Sequence, residues 1–144
     1  MTQKSKFIIE RDNALYKAYR DALRSEKVHS HQQAIRVALN SPTSRFWIPS
    51  FQAYREILKV KKTGEIKSPR GIREKLIRDL YDKYLVLKGK PMFRGYSTYF
   101  ITCFVVSEPA PRFYISYSRA LSIISRMRKQ KHKRRKEDGA DNYF

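Results

Sequence analysis

The sequence predicts an all-α protein made of two tandem tri-helical, helix-turn-helix-like units from an internal duplication, followed by a basic C-terminal tail. Three observations carry that expectation. The stretch SPTSRFWIPSFQAYREI at residues 41–57 is matched, at one constant offset, by EPAPRFYISYSRALSII at residues 108–124. Pro42 thus falls on Pro109, Arg45 on Arg112, Phe46 on Phe113, Trp47 on Tyr114, Ile48 on Ile115, Ala53 on Ala120 and Ile57 on Ile124. Ahead of each copy, apolar residues recur at the spacing of an amphipathic helix. Finally, 32 Lys and Arg stand against 13 Asp and Glu, a net charge of +19, and the densest basic run lies near the C-terminus.

Each element follows in order. From Arg11 to Glu26, Leu15, Ala18, Tyr19, Ala22 and Leu23 form one apolar stripe with Lys and Arg opposite, the pattern of a surface helix. Ser30 with Gln33 has the form of a capping box opening a second helix, HQQAIRVALN. Pro42 disfavours helix at the residue before it, and Phe46 and Trp47 bring aromatic volume to the corner that follows. A third helix starts near Pro49 and aligns Ala53, Ile57 and Val60. The unit 1–61 is then complete, and the Gly- and Pro-bearing stretch 62–70 reads as a linker. The second unit, 71–128, repeats the stripe with Ile77, Leu80, Tyr81, Tyr84 and Leu85 and a longer break at KGKPMFRGY. Within it STYFITCFVV has the β-branched and aromatic composition of a strand, with FYISY as a hairpin partner. The duplication points to helix instead, because Ser97 takes the place of Ser30, and Ile101, Phe104 and Val105 take those of Ala34, Val37 and Ala38. Residues 129–144 form a basic and then acidic tail, expected to be disordered when free because like charges repel.

The order of helix, helix, corner and helix resembles helix-turn-helix DNA-binding domains, although the corner is longer than their short turn. That resemblance implies that the last helix of each unit enters the major groove while its predecessor crosses the backbone. The wording SPTSRFW with EPAPRFY, a duplicated R-F-[WY]-I motif, also resembles short basic proteins encoded by gut bacteria and their phages or mobile elements. That likeness covers most of the chain and implies a context without an activity.

Candidate contacts to nucleic acid follow from position and chemistry. Off the apolar stripe of the third helices lie Ser50, Gln52, Arg55 and Lys59 in the first unit and Ser118, Arg119, Ser122 and Arg126 in the second; Arg suits guanine and Gln suits adenine in the major groove. Arg45 and Arg112 either bind phosphate or pair with an acid of the first helix, such as Asp12 or Asp79. In RMRKQKHKRRKE, residues Arg126, Arg128, Lys129, Lys131, Lys133, Arg134, Arg135 and Lys136 precede the first acid, Glu137, a block suited to following phosphates. The closing EDGADNYF is acidic enough to shield that block from wrong partners. Phe46, Trp47, Phe113 and Tyr114 are read as core, with base stacking as the alternative.

Catalysis finds little purchase in this composition. His29 and His31 would point apart on a helix, His132 lies in the basic block, and carboxylates are scattered, so no metal site, cofactor or enzyme activity is expected. Cys103, the one cysteine, excludes an internal disulfide, fits a reducing compartment and reads as a small core residue. With no export signal and no apolar run of about 18 residues, a cytoplasmic location and no membrane partner are expected. The function anticipated is a double-stranded DNA-binding protein, a regulator or architectural factor of a phage or mobile element. The alternatives are an RNA binder, or a packaged phage protein that neutralises nucleic-acid charge without reading sequence.

Overall fold

A computed structural model describes residues 3–66 and 71–141. Six α-helices lie among the described residues: α1 Gln3–Leu23, α2 His31–Leu39, α3 Ser50–Thr63, α4 Ile72–Lys88, α5 Thr98–Ser107 and α6 Tyr117–Asp141, with a 3-10 turn at Pro91–Phe93. The strand alternative for STYFITCFVV is thereby excluded. Its helix opens where Ser97 Oγ accepts the Phe100 amide at 3.1 Å, as Ser30 Oγ accepts that of Gln33 at 3.1 Å in α2. The Gln33 side chain reaches back as expected, but to the His29 amide, at 2.8 Å.

Two boundaries differ from expectation. Helix α1 begins ahead of Arg11, because Phe7 is buried and the Arg45 guanidinium rests 4.3 Å from its ring centroid. The stretch from residue 129 onward, expected to be disordered, instead continues α6 to Asp141. Its backbone hydrogen bonds are made inside the helix, and the Lys131 ammonium lies 4.5 Å from the Tyr16 ring centroid on α1. The side chains of residues 137–144, the proposed acidic shield, lie outside those described, as do residues 67–70 of the linker. Before that gap α3 ends at Gly64, whose φ of 76° is a left-handed cap that favours glycine.

The helices do not pack in the linear units 1–61 and 71–128. Helix α6 joins α1 and α2, while α3 joins α4 and α5. One core holds Leu15, Tyr19, Ile35 and Ala38 with Phe113, Ala120 and Ile124. The other holds Leu80, Tyr84, Ile101 and Val105 with Phe46, Ala53 and Ile57. Each third helix has therefore been exchanged into the body formed by the other half.

The corners show how the exchange is made. A helix-turn-helix folds its third helix back through a tight turn, whereas here the two corners run out, cross and pair with one another. Thr43 and Ala110 exchange both backbone hydrogen bonds, each 2.9 Å, as an isolated antiparallel bridge. On either side, the Phe46 amide donates to the Val106 carbonyl and the Phe113 amide to the Leu39 carbonyl, both at 3.0 Å. These four bonds are related by the offset of the repeat. The last two also satisfy carbonyls at the open C-terminal ends of α5 and α2. Because side chains alternate along an extended chain, Phe46 and Ile48 enter one core while Trp47 packs on the other. Phe113 and Tyr114 divide the same way in reverse.

Candidate nucleic-acid interface

Helix α6 supplies the most basic surface. Its apolar stripe, Ala120, Ile123 and Ile124 with part of Met127, seats the first half on α1 and α2. Beyond Met127 the stripe gives way to cations, so the helix leaves the core while still running beside α1. An open groove of about 760 Å³ lies there, lined by Tyr16 and Arg20 of α1 and by Ser125, Arg128, Lys129, Lys131, His132, Lys133, Arg135 and Lys136 of α6. Among the described residues no carboxylate lines it. A groove of about 400 Å³ adds Lys17 and Arg24 of α1, and Asp21 beside them. Arg20, Lys17 and Arg24 had no signal in the sequence beyond lying opposite the apolar stripe of α1.

Among the residues singled out from sequence, Ser118, Arg119, Ser122 and Arg126 are exposed on α6 near the groove's helix. Arg126 is also an anchor: its guanidinium donates to Asp12 Oδ2 at 2.9 Å, and Asp12, only 5% exposed, is held from the other side by Arg11 at 3.0 Å. Ser50, Gln52, Arg55 and Lys59 sit on α3, in the other body. There Arg55 stacks near Phe51, 5.5 Å from its centroid, and Lys59 lies 3.6 Å from Glu56, which also holds Arg73 at 3.0 Å. Exchange of the third helices thus swaps the bodies on which the two candidate sets lie.

The two corner arginines part company. Arg45 does not reach Asp12; it lies against Phe7 and 5.7 Å from the Trp47 centroid, and donates weakly to the Phe46 carbonyl at 3.4 Å. Trp47 donates to Thr43 Oγ1 at 3.0 Å. Arg112 does pair with its acid, its Nε 3.8 Å from Asp79 Oδ2, too far for a hydrogen bond and without another partner. The Asp79 oxygen is taken by the Tyr114 hydroxyl at 2.6 Å. Burial, and then that hydrogen bond, hold the Tyr114 phenol far above its ordinary value. Of the four corner aromatics, Phe46 and Phe113 are fully buried and Trp47 and Tyr114 are packed against the cores, which leaves them little ring face for a base.

No family model, curated protein or solved structure matches the chain. Its own repeat is therefore the available comparison.

One polar cluster recurs in both bodies. Tyr19 of α1 and Tyr84 of α4 are buried, each beside a second tyrosine, Tyr16 at 6.1 Å and Tyr81 at 6.0 Å between centroids. Each hydroxyl meets the first residue of the next helix, His31 Nδ1 or Thr98 Oγ1, and a cation from the exchanged helix, Arg128 or Lys61. Their titration diverges. Burial pushes the Tyr19 phenol up despite Arg128. Burial acts the same way on Tyr84, but the Thr98 and Lys61 hydrogen bonds and the charges of Lys61 and Lys88 outweigh it and hold that phenol below its ordinary value. The cations around Tyr84 thus act on its hydroxyl more strongly than Arg128 acts on that of Tyr19. Among the described residues, no group of three His, Cys, Asp or Glu is placed to hold a metal ion, and no helix is long and apolar enough to cross a membrane.

Proposed function

We propose that this chain is a non-enzymatic protein that binds double-stranded DNA, as a regulator or architectural factor of a phage or mobile element. One observation carries the reading: the groove between α1 and the C-terminal half of α6, where cations from two helices converge. A helix of 25 residues extends about 37 Å at 1.5 Å per residue, about one turn of duplex. Cations along it would meet successive phosphates and release condensed counterions, a term independent of sequence. In this reading each body acts as a tri-helical unit completed by its exchanged helix. The exposed Ser118, Arg119 and Ser122 on the first half of α6 are then the groups offered to base edges.

Binding isotherms on selected and scrambled duplexes at several salt concentrations test this division of labour. Deleting residues 129–144 removes Lys129, Lys131, Lys133, Arg134, Arg135 and Lys136. It should weaken binding to every duplex and flatten the salt slope by about 0.9 for each phosphate no longer neutralised. Arg119→Ala should weaken a preferred site by about 1–3 kcal/mol and spare random DNA. Equal weakening on every duplex would make Arg119 a phosphate ligand and remove sequence reading from the function. Unchanged duplex affinity after the deletion would overturn the reading itself.

A further inference from the structure

The outer face of α5 carries three aromatic rings in a row. Tyr96, just ahead of the helix, and Phe100 and Phe104 within it follow at four-residue spacing, so they share one face. They are 52%, 43% and 43% exposed. Their centroids stand 4.8 Å apart from Tyr96 to Phe100 and 5.2 Å apart from Phe100 to Phe104, with buried Phe93 supporting both ends from beneath. The fold does not require these rings. At the same positions of the repeat stand His29, Gln33 and Val37, and the first body packs the same helix without a Phe, Tyr or Trp there.

What lies beside the rings identifies an occupant. A pocket of about 500 Å³ reaches from Tyr96 to the buried Tyr84 hydroxyl and is lined by Lys61, Lys88, Lys90 and Arg94, with no carboxylate among the described residues. Among the described residues none of these four cations is in an ion pair. At its floor, Lys61 Nζ donates to Tyr84 Oη at 3.2 Å and to Thr98 Oγ1 at 3.0 Å, so the ammonium is held in place by two hydroxyls. An apolar partner would cover the rings and leave the cations stranded. A duplex would meet the cations but keeps its bases stacked on each other, away from the rings.

We propose that α5 and this pocket form a site for unpaired nucleic acid, in which successive bases stack on Tyr96, Phe100 and Phe104 while the adjoining phosphates enter the cationic pocket. Both halves of that chemistry are what single strands offer: a π face on every base and a charge at every step. The site is confined to the second body, apart from the α6 groove. Its sequence conceals it, because STYFITCFVV is apolar almost throughout and the spacing groups Phe104 with Ile101 and Val105 as one stripe.

The test uses the full chain with labelled oligothymidine, oligouridine and a mixed-sequence duplex, followed by anisotropy at near-physiological salt. Phe100→Leu keeps the apolar volume but removes the π face, and Tyr96→Ala removes a ring that Tyr96→Phe retains. Phe100→Leu and Tyr96→Ala should each weaken single-strand binding about fivefold to a hundredfold, the range expected for one stacked base, while Tyr96→Phe and duplex affinity stay at wild-type values. Lys61→Gln should weaken single strands as well. The two homopolymers distinguish DNA from RNA as the strand preferred. Wild-type affinity of Phe100→Leu for both homopolymers would overturn the proposal. So would an equal weakening on duplex, or a dimer in sedimentation that Phe100→Lys dissociates, which would make the rings a self-association face. Deletion of residues 129–144 is read on the duplex alone, so either reading can fail without the other.

Discussion

Phe46 and Trp47 are neighbours in the chain that serve different cores. Sequence reasoning recognises both as packing residues from their place in a repeated corner, and Phe46, stacked on Tyr114 with centroids 6.0 Å apart, is buried accordingly. Which core each enters is invisible at this level, because alternation along an extended segment gives direction only once the segment's neighbours are known. The arrangement makes a specific demand. Phe46→Ala and Phe113→Ala should each cost about 3–5 kcal/mol, and the damage should fall crosswise. Amide hydrogen exchange should show Phe46→Ala loosening α4 and α5 more than α1 and α2, and Phe113→Ala doing the reverse. Loosening of α1 and α2 by Phe46→Ala would mean that each half folds on itself. The Arg45 and Arg112 pair illustrates the limit of pattern from another side. Of the two readings open for each, phosphate or an acid of the first helix, an acid is reached only by Arg112, at Asp79, while Arg126 and Arg11 occupy Asp12.

Helices are what the sequence discloses best. Ala53, Ile57 and Val60 line the buried face of α3 as their spacing predicts, and the duplication alone turns STYFITCFVV from an apparent strand into α5. Local propensity points the other way there and is overridden by burial of Ile101, Thr102, Val105 and Val106 against α3 and α4. Both short helices depend on that burial, since helices of nine and ten residues are too short to be stable alone in water. Their caps contribute as well. Ser30→Ala and Ser97→Ala should each lower stability by about 1 kcal/mol in urea titrations. The larger drop is expected for Ser97, whose helix lacks the glutamine that reaches back in α2. A change within error for both variants would show that packing alone starts these helices. The length of α6 was not legible, because a block of like charges argues for disorder unless it lies along a neighbouring helix, as Lys131 does along Tyr16.

At the scale of the whole molecule, the duplication was plain and its outcome was not. Two copies of one apolar pattern make the third helices interchangeable, so periodicity fits the linear and the exchanged arrangements equally; the packing of α6 on α1 and α2 and of α3 on α4 and α5 decides between them. A protease site inserted between Gly64 and Gly71 would distinguish the two. After cleavage the halves should elute together in gel filtration and separate only in denaturant, because each body holds helices from both. Separation without denaturant would restore the tandem arrangement. The crossing has a consequence for dilution. A free half-chain would hold two helices with an uncovered apolar face and one helix with nowhere to dock, and could close its core only by meeting a second half. Joined in one chain, the halves face each other at an effective concentration set by a short connection, commonly in the millimolar range. Assembly that would otherwise be bimolecular thereby becomes a property of the single molecule, and a cell holding few copies would still have each of them complete.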